Sequence, residues 1–222
     1  MLQSSTLKFL KELKKNNNKP WFDKNRKAYE SAKADFAVFM QKLIDLHSKR
    51  DSSIKNLVAK DCMFRINRDI RFSKDKSPYK TNFGASINKG GRKAMNSAGY
   101  YFHLEPGSCF VGGGLYQPMP EELKKVRQEI DYNFAELKKI IGSKKFKSIY
   151  GDLDKSAEFL LSRVPKGYEP GNPAAEYLRL KSYIAMIKLK DADLTSNNVL
   201  KKTVEAFEAL QPLIEFINKS IS

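Results

Sequence analysis

The hydrophobic pattern of this chain changes its period twice, and this change limits the folds that the chain can adopt. In the first 50 residues apolar side chains recur at helical spacing, as at Phe36, Met40 and Leu43. Residues 60–117 instead hold short aromatic and β-branched runs, separated by Gly, Pro, Asn and Ser clusters typical of strands and turns. Helical spacing returns after Pro118. Helices, then strands, then helices predict an α+β fold rather than alternating βαβ units.

The pattern predicts one domain over residues 1–222, a length that can bury a core without a metal or disulfide. It has an N-terminal helical part over about 4–50, a strand-rich part over about 60–117 and a helical and mixed part over about 118–222. We expect a central, mostly antiparallel sheet of about four to six strands, flanked by N-terminal, middle and C-terminal helices.

Individual elements follow from local signals. Ser4, Ser5 or Thr6 can cap a helix over 4–15, and Asn18 can cap a second helix that runs to about residue 50. The predicted strands lie at 62–66, 82–87, 99–104, 108–111 and 182–189.

The charge of the chain favours polyanionic partners. Lys and Arg number 41 against 25 Asp and Glu, a formal net charge of +16. Most of these cations are lysines, which also serve simply to keep a protein soluble. No apolar stretch approaches the ~20 residues of a membrane span. Cys62 and Cys109 have apolar neighbours and no metal-ligand spacing, so we expect two buried thiols. Because the N-terminus carries no secretory-type apolar segment, a cytoplasmic location is the default expectation.

Arginine is concentrated in residues 65–80, RINRDIRFSKDKSPYK. Three of the nine arginines lie within seven residues, and the segment holds six cations and two carboxylates. The guanidinium fork matches phosphate or carboxylate with two hydrogen bonds, which lysine cannot do. Spacing of three favours a helical turn or an irregular loop over a strand. The predicted anion-binding residues are Arg65, Arg68, Arg71, Lys74, Lys76 and Lys80. The alternative is an exposed loop with ordinary ion pairs.

Acid–base chemistry has two candidates, Asp69 within that segment and His103 on a predicted strand. His47 falls late in a helix, where we expect it at the surface, and a strand histidine without an identified partner is commonly structural. With two histidines and two cysteines in no ligand spacing, neither a metal site nor a cofactor is expected. Gly112-Gly-Gly114 lacks the Gly-Lys-Ser/Thr of a P-loop and indicates close backbone approach instead. Further contributors to the site would be Asn25, Arg26, Ser73, Tyr79, Tyr101 and Arg127.

Four stretches of the sequence together resemble a known family. They are residues 19–29 (KPWFDKNRKAY), residues 68–81 (RDIRFSKDKSPYKT), residues 99–104 (GYYFHL), and Gly112-Gly-Gly-Leu-Tyr116 followed by Pro118 and Arg127. The chain resembles, from about Thr6 to past Lys181, the uncharacterised bacterial and fungal family called domain of unknown function 2461. The resemblance implies a single-domain architecture and no activity, because the family has none assigned.

The first functional hypothesis is therefore binding of an anionic, phosphate-bearing ligand or a nucleic-acid backbone through residues 65–80. Aromatic residues among the cations would suit base stacking, but no motif for sequence-specific recognition is present. An alternative is an enzyme acting on a phosphorylated or carboxylated substrate, with Asp69 or His103 as acid or base. A second alternative is a non-catalytic interaction module, which would present a flat basic face.

Overall fold

The computed structural model of the chain describes residues 1–94 and 96–222. The strands are β1 (Phe83–Ile87), β2 (Gly99–Leu104), β3 (Phe110–Leu115) and β4 (Tyr183–Lys188). The α-helices are α1 (Ser4–Lys15), α2 (Lys19–Lys24), α3 (Arg26–His47), α4 (Ala59–Cys62), α5 (Pro120–Tyr132), α6 (Phe134–Ile141), α7 (Lys144–Tyr150), α8 (Ala175–Leu178), α9 (Asp191–Leu194) and α10 (Val199–Ile221). Short 3₁₀ turns lie at Ser52–Ile54 and Gly91–Lys93.

The four strands form one antiparallel sheet in the order β1-β2-β3-β4. Helices precede and follow it along the chain, so the predicted α+β class is confirmed. The turn at residues 105–108 joins β2 to its neighbour β3, as expected from its Pro-Gly pair. β1 lies at one edge, and outside the named strands Met63 makes an antiparallel bridge to its Ala85. Within the described residues, no helix is both long enough and apolar enough to cross a bilayer.

The chain divides into two compact units, and the prediction of a single domain stays a prediction. The first unit comprises Met1–Arg92, Tyr101–Val111 and Lys188–Val204. Its core contains a stack of aromatic rings from α1, α3, β1 and β2. Phe83 lies 6.5 Å from Phe9 and 5.5 Å from Phe36 between ring centroids, and Phe36 lies 6.0 Å from Phe102.

The second unit comprises Lys93–Tyr100, Gly112–Ile187 and Glu205–Ser222. α10 packs there against the start of β2. The rings of Tyr100 and Phe207 lie 4.8 Å apart, and the Asn218 side chain exchanges hydrogen bonds of 2.8 and 3.1 Å with the backbone of Ala98.

The helix starts differ in part from the sequence prediction. The cap at Asn18 is confirmed, since its Oδ1 accepts the Trp21 N–H at 3.0 Å. The second predicted helix is interrupted at Asn25, which both ends α2 and begins α3. The predicted cap of α1 at Ser4, Ser5 or Thr6 is wrong, because all three residues lie inside the helix, which starts after Gln3 without a side-chain cap. The Thr6 hydroxyl donates to Asp35 Oδ2 at 2.6 Å.

Two further predictions are wrong. Residues 62–66 do not form a strand; α4 ends at Cys62, and Met63 makes only the isolated bridge to β1. His47 is completely buried rather than at the surface, because the last turn of α3 packs its apolar face, including Leu43 and Ile44, into the core. Both cysteines are free and buried, as predicted.

The three glycines of β3 allow its backbone to approach its neighbours closely. A Cβ at Gly114 would lie 2.0 Å from the carbonyl oxygen of Tyr183, and Gly114 has φ +119°. Both facts exclude an ordinary side chain there. The close approach expected for residues 112–114 is thereby confirmed.

We predict that Gly114→Ala lowers the free energy of unfolding by about 3 kcal/mol or more, because strain and a backbone clash combine. The matched control is Gly167→Ala, where φ is +97° and a Cβ would meet nothing within 4 Å. Strain alone should cost the control about 1–2 kcal/mol. Urea unfolding of both variants measures the difference. Equal losses would show that the clash contributes nothing.

Candidate functional site

A concave, cation-lined pocket of about 430 Å³ lies in the first unit. We call it the basic pocket. Among the described residues its walls hold five cations and no carboxylate. The lining residues are Lys33, Ala37, Lys60, Met63, Phe64, Arg65, Lys80 and Arg92. Two of the cations predicted from the sequence, Arg65 and Lys80, are therefore in the pocket, and the three others come from outside residues 65–80.

Arg65 and Lys80 are brought together by the loop between them. This basic loop, residues 66–80, is closed like a hairpin: the Lys80 N–H donates to Ile66 O at 2.7 Å, and the Arg68 N–H donates to Pro78 O at 3.0 Å. The Phe64 N–H donates to Gly84 O at 2.9 Å, which attaches the start of the segment to β1. Of the two alternatives, a helical turn and an irregular loop, the chain forms a loop here, closed by an isolated bridge between Asn67 and Tyr79.

The returning arm of the basic loop is anchored by α2 and the residues before it. The Asn17 side chain accepts the Tyr79 N–H (3.1 Å) and donates to the Tyr79 carbonyl oxygen (2.9 Å). The Tyr79 ring stacks on Phe22 with centroids 3.9 Å apart. Tyr79 is thus buried and supports the loop from behind instead of lining the pocket.

The other walls come from α3, α4 and the 3₁₀ turn at Gly91–Lys93. Lys33 and Ala37 lie four residues apart, and so on one face of α3. Arg92 donates from Nη1 to the carbonyl oxygen of Lys60 at 2.8 Å, which ties the Arg92 side chain to the backbone of α4.

Lys80 is the cation of the pocket that is most affected by its surroundings. Its ammonium lies 5.4 Å from the centroid of the Phe64 ring. Burial and the nearby charge of Arg65 both lower the pKa of Lys80. The surroundings of Lys80 thus disfavour its positive charge, and an anion bound beside it would oppose that effect.

The other four predicted cations lie outside the pocket, and two of them form ion pairs within the loop. Arg68 pairs with Asp75 and also donates to Ser73 Oγ at 3.3 Å. Arg71 binds both carboxylate oxygens of Asp69, from Nε at 3.0 Å and from Nη2 at 2.7 Å. Lys76 donates to the carbonyl oxygen of Ile70 at 3.0 Å, and Lys74 is exposed. The structure therefore does not bring all six predicted cations into one site.

These ion pairs affect whether Asp69 can act as a general acid or base. The hydrogen bonds from Arg71 lower the pKa of Asp69. Hydrogen bonds from Ser77 and Arg68 lower the pKa of Asp75 in the same way. A carboxylate held ionised by a bidentate arginine is a weak base, because taking up a proton would break that pair.

Three further predicted contributors have local roles. The Asn25 side chain donates to Trp21 O at 2.8 Å. Arg26 pairs with Asp23 at 2.9 Å. Arg127, in the second unit, donates to Leu180 O at 2.9 Å.

His103 is the centre of a polar cluster on the less buried face of β2. Its Nε2 lies 3.3 Å from Glu105 Oε2, and its Nδ1 lies 3.2 Å from the Tyr101 hydroxyl and 3.4 Å from Asn82 Nδ2. The imidazole stacks on Phe110 with centroids 4.6 Å apart. We call His103, Tyr101, Glu105 and Asn82 the histidine cluster.

The protonation state of the cluster follows from its contacts. A carboxylate only accepts, so His103 Nε2 carries the proton toward Glu105, and Nδ1 of the neutral ring accepts from Tyr101 or Asn82. Burial lowers the pKa of His103, although Glu105 partly opposes this. Burial opposes ionisation of Glu105, but hydrogen bonds from Thr81, His103 and Lys14 outweigh it and lower its pKa. The cluster is thus built around a neutral imidazole and an ionised carboxylate.

Gly84 of β1 makes room for this cluster. A Cβ on Gly84 would lie 2.5 Å from the Tyr101 hydroxyl oxygen. The Tyr101 ring also meets Phe64 edge-on, with centroids 6.3 Å apart. Phe64 therefore contacts Tyr101 of the histidine cluster and also lines the basic pocket.

Sequence reasoning missed Lys33, Lys60, Arg92 and Glu105. The three cations lie outside residues 65–80, from five residues away for Lys60 to more than thirty for Lys33, and no local pattern shows that they converge. Glu105 could have been found from the sequence, because alternation along a strand puts residues 101, 103 and 105 on one side. His103, for which the sequence analysis identified no partner, has one in Glu105.

We predict that the stability of the protein falls as the pH drops below about 6.5, and that His103→Gln reduces this fall. A lowered folded-state pKa means that the unfolded chain takes up the proton first. The contribution of His103 to stability is therefore fully present above its pKa in the unfolded chain. It is lost as the pH falls toward its lower pKa in the folded protein. Guanidinium unfolding at pH 7.5, 6.5 and 5.5 measures it. His47 is present in both proteins, so it cannot cause a difference between them. An equal dependence of the free energy of unfolding on pH in wild type and His103→Gln would therefore contradict the prediction.

Comparison with known proteins identifies the family. A search of curated proteins and a search of solved structures gave no match. The model of one family, described as "Conserved hypothetical protein (DUF2461)", matches residues 5–216, nearly the whole chain. The four stretches that resemble this family include residues 68–81 of the basic loop and Tyr101 and His103 of the histidine cluster. The protein that carries this basic pocket and histidine cluster is a member of the DUF2461 family.

Proposed function

We propose that the protein binds a phosphate-bearing anionic ligand in the basic pocket. The observation that carries this proposal is the convergence of five cations, with no carboxylate among the described lining residues, in a chain that pairs many of its other cations. A volume of about 430 Å³ lies in the range of small-molecule sites, roughly 300–1,000 Å³.

The chemistry of the walls favours phosphate among anions. Arg65 and Arg92 supply planar forks that bind two oxygens of one group, while the lysines supply point charges. Like charges that converge repel each other by about 1 kcal/mol per pair at 4 Å in water, and by more when partly buried. A dianionic group removes that repulsion.

A larger groove, of about 580 Å³ between α1 and α9, is a weaker candidate. Its lysines are opposed by acidic residues on the same walls. Lys11 lies 3.2 Å from Asp191, and Lys15 lies 3.0 Å from Glu12. Lys14, on the same walls, pairs with Glu105 at 3.4 Å, so three of the four lysines that line the groove have a carboxylate partner and less charge is left uncompensated than in the basic pocket.

We predict that Arg65→Ala and Lys80→Gln each weaken the binding of inorganic pyrophosphate by about tenfold or more, the usual effect of one charge-assisted hydrogen bond. Lys80→Gln keeps part of the side chain that covers Phe64, so it tests the charge more than the packing. Isothermal titration of the full chain at low salt measures both.

The matched control is Arg71→Ala, which removes one cation of the same loop that is paired with Asp69 outside the pocket. It should leave pyrophosphate affinity within about twofold. If all three variants bind alike, the pocket is not the site and the proposal fails.

A second candidate function is acid–base catalysis by His103, favoured by its hydrogen bonds to Glu105 and Tyr101. Glu105 would hold the ring in one tautomer, and the neutral imidazole could take or give a proton near neutral pH. Of the two acid–base candidates, His103 is better suited than Asp69, which is held by Arg71. A concave site does not favour the third hypothesis, an interaction module that presents a flat basic face.

We predict that any hydrolysis of chromogenic phosphate or carboxylate esters by this protein falls at least 100-fold in His103→Gln, the lower range for general acid–base groups. Asp69→Asn should leave it unchanged. Activity that survives in His103→Gln would remove His103 from the reaction, and activity lost in Asp69→Asn would transfer the role to that carboxylate.

A further inference from the structure

Phe72 lies at the tip of the basic loop with 95% of its surface exposed. It is the most exposed large apolar side chain in the part of the chain that the structure describes. Arg71 lies beside it, with the guanidinium carbon 5.8 Å from the ring centroid. Neither the core nor the basic pocket uses this ring.

The tip is shaped by its own two carboxylates. Asp75 accepts the Ser77 N–H at 2.9 Å and pairs with Arg68. Asp69 is held by both donor nitrogens of Arg71. Because these contacts neutralise the acidic residues within the loop, the tip presents an aromatic ring and uncompensated lysines to the solvent.

We infer that the phosphate-bearing ligand is single-stranded nucleic acid, whose phosphates enter the basic pocket and whose bases stack on Phe72. This inference rests on the function proposed above. Proteins that bind single strands without sequence preference combine cationic grooves with exposed aromatic rings, on which any base can stack. The loop supplies both, since Arg65 and Lys80 stand at its base and Phe72 at its tip.

The dimensions of the loop suit a short stretch of strand. Arg65 lines the pocket, and Phe72 follows it by seven residues. Seven residues span at most about 25 Å. That length corresponds to about seven nucleotides at the 3.4 Å rise of one strand. A duplex keeps its bases stacked inside, so an exposed phenyl ring favours unpaired bases.

An anionic membrane is the competing partner for a cationic tip with an exposed aromatic ring. Membrane attachment strengthens with the apolar area buried. The tip offers one large exposed apolar side chain among the described residues, and the pocket cations are set in a concave surface. Stacking needs one ring only, and a flexible strand can enter a concavity. These features favour nucleic acid.

The test uses fluorescence anisotropy of the full chain with labelled twelve-nucleotide oligothymidylate and with an abasic strand of equal length, which has the phosphates without the bases. We expect tighter binding of oligothymidylate, with affinity that falls steeply as salt rises. Phe72→Ala should weaken oligothymidylate binding about tenfold and leave the abasic strand unchanged. An oligouridylate of equal length shows whether RNA or DNA is preferred.

Two control variants separate stacking from charge. Tyr132→Ala removes another exposed aromatic ring, 73% exposed at the end of α5, and should change nothing. Arg65→Ala should weaken both strands, because it removes a phosphate contact.

The outcomes distinguish this inference from the function on which it rests. If Arg65→Ala leaves pyrophosphate binding intact, the proposed function itself fails. If pyrophosphate binding depends on Arg65 but wild type binds the two strands alike, or Phe72→Ala changes neither, only the nucleic-acid inference is overturned. Sedimentation with phosphatidylserine-containing vesicles completes the test. Vesicle binding that requires Phe72, with oligothymidylate binding that does not, would assign the tip to a membrane instead.

Discussion

The attachment of residues 63 and 64 to the free edge of the sheet is the contact on which both candidate sites depend. β1 is an edge strand, and an edge strand exposes backbone groups that need partners. Met63 bridges to Ala85, and the Phe64 N–H donates to Gly84 O at 2.9 Å. This pairing covers part of the edge and fixes the chain just before the cationic segment. Arg65 consequently begins the basic loop beside the sheet, and the Phe64 side chain separates the basic pocket from Tyr101.

Alternation along β2 then divides apolar from polar chemistry. Phe102 and Leu104 are buried in the core, whereas Tyr101, His103 and Glu105 lie on the less buried face, where they contact each other. A strand with one apolar face and one polar, hydrogen-bonded face can supply functional groups without leaving buried polar atoms unpaired. The same strand therefore stabilises the core and holds the histidine cluster in place.

Much of the fold could be predicted from the sequence because its signals are local. The Asn18 cap, the glycines of β3 and the stripe of Phe36, Met40 and Leu43 each depend on a few neighbouring residues. The errors arise where local preference and tertiary context disagree. Asn25 interrupts a helix whose apolar spacing continues across it. Residues 62–66 have strand-like composition, yet their backbone meets β1 at a single bridge.

The sequence located the segment that contributes to the candidate site, but it did not show which residues come together in space. Composition located residues 65–80, yet it could not show that Asp75 would pair with Arg68 and Asp69 with Arg71. Such pairing depends on how the loop folds back. In the sequence, a cation that forms an ion pair at the surface cannot be told from one that lines a pocket. Lys33, Lys60 and Arg92 are added by packing of α3, α4 and a 3₁₀ turn, which is tertiary information.

The distribution of counter-charges is the observation from which we propose a functional role for part of the net charge of +16. Solubility needs only exposed lysines, and α1 illustrates this with cations that pair with Glu12 and Asp191. The basic pocket departs from that pattern, because Lys80 is half-buried against Phe64 beside another cation and has a lowered pKa. Uncompensated charge in a concave site costs folding free energy, and proteins retain such local conflicts mainly where function requires them. In the function that we propose, a ligand that brings negative charge would reduce the repulsion between these cations, and the cost to the free protein would become affinity in the complex.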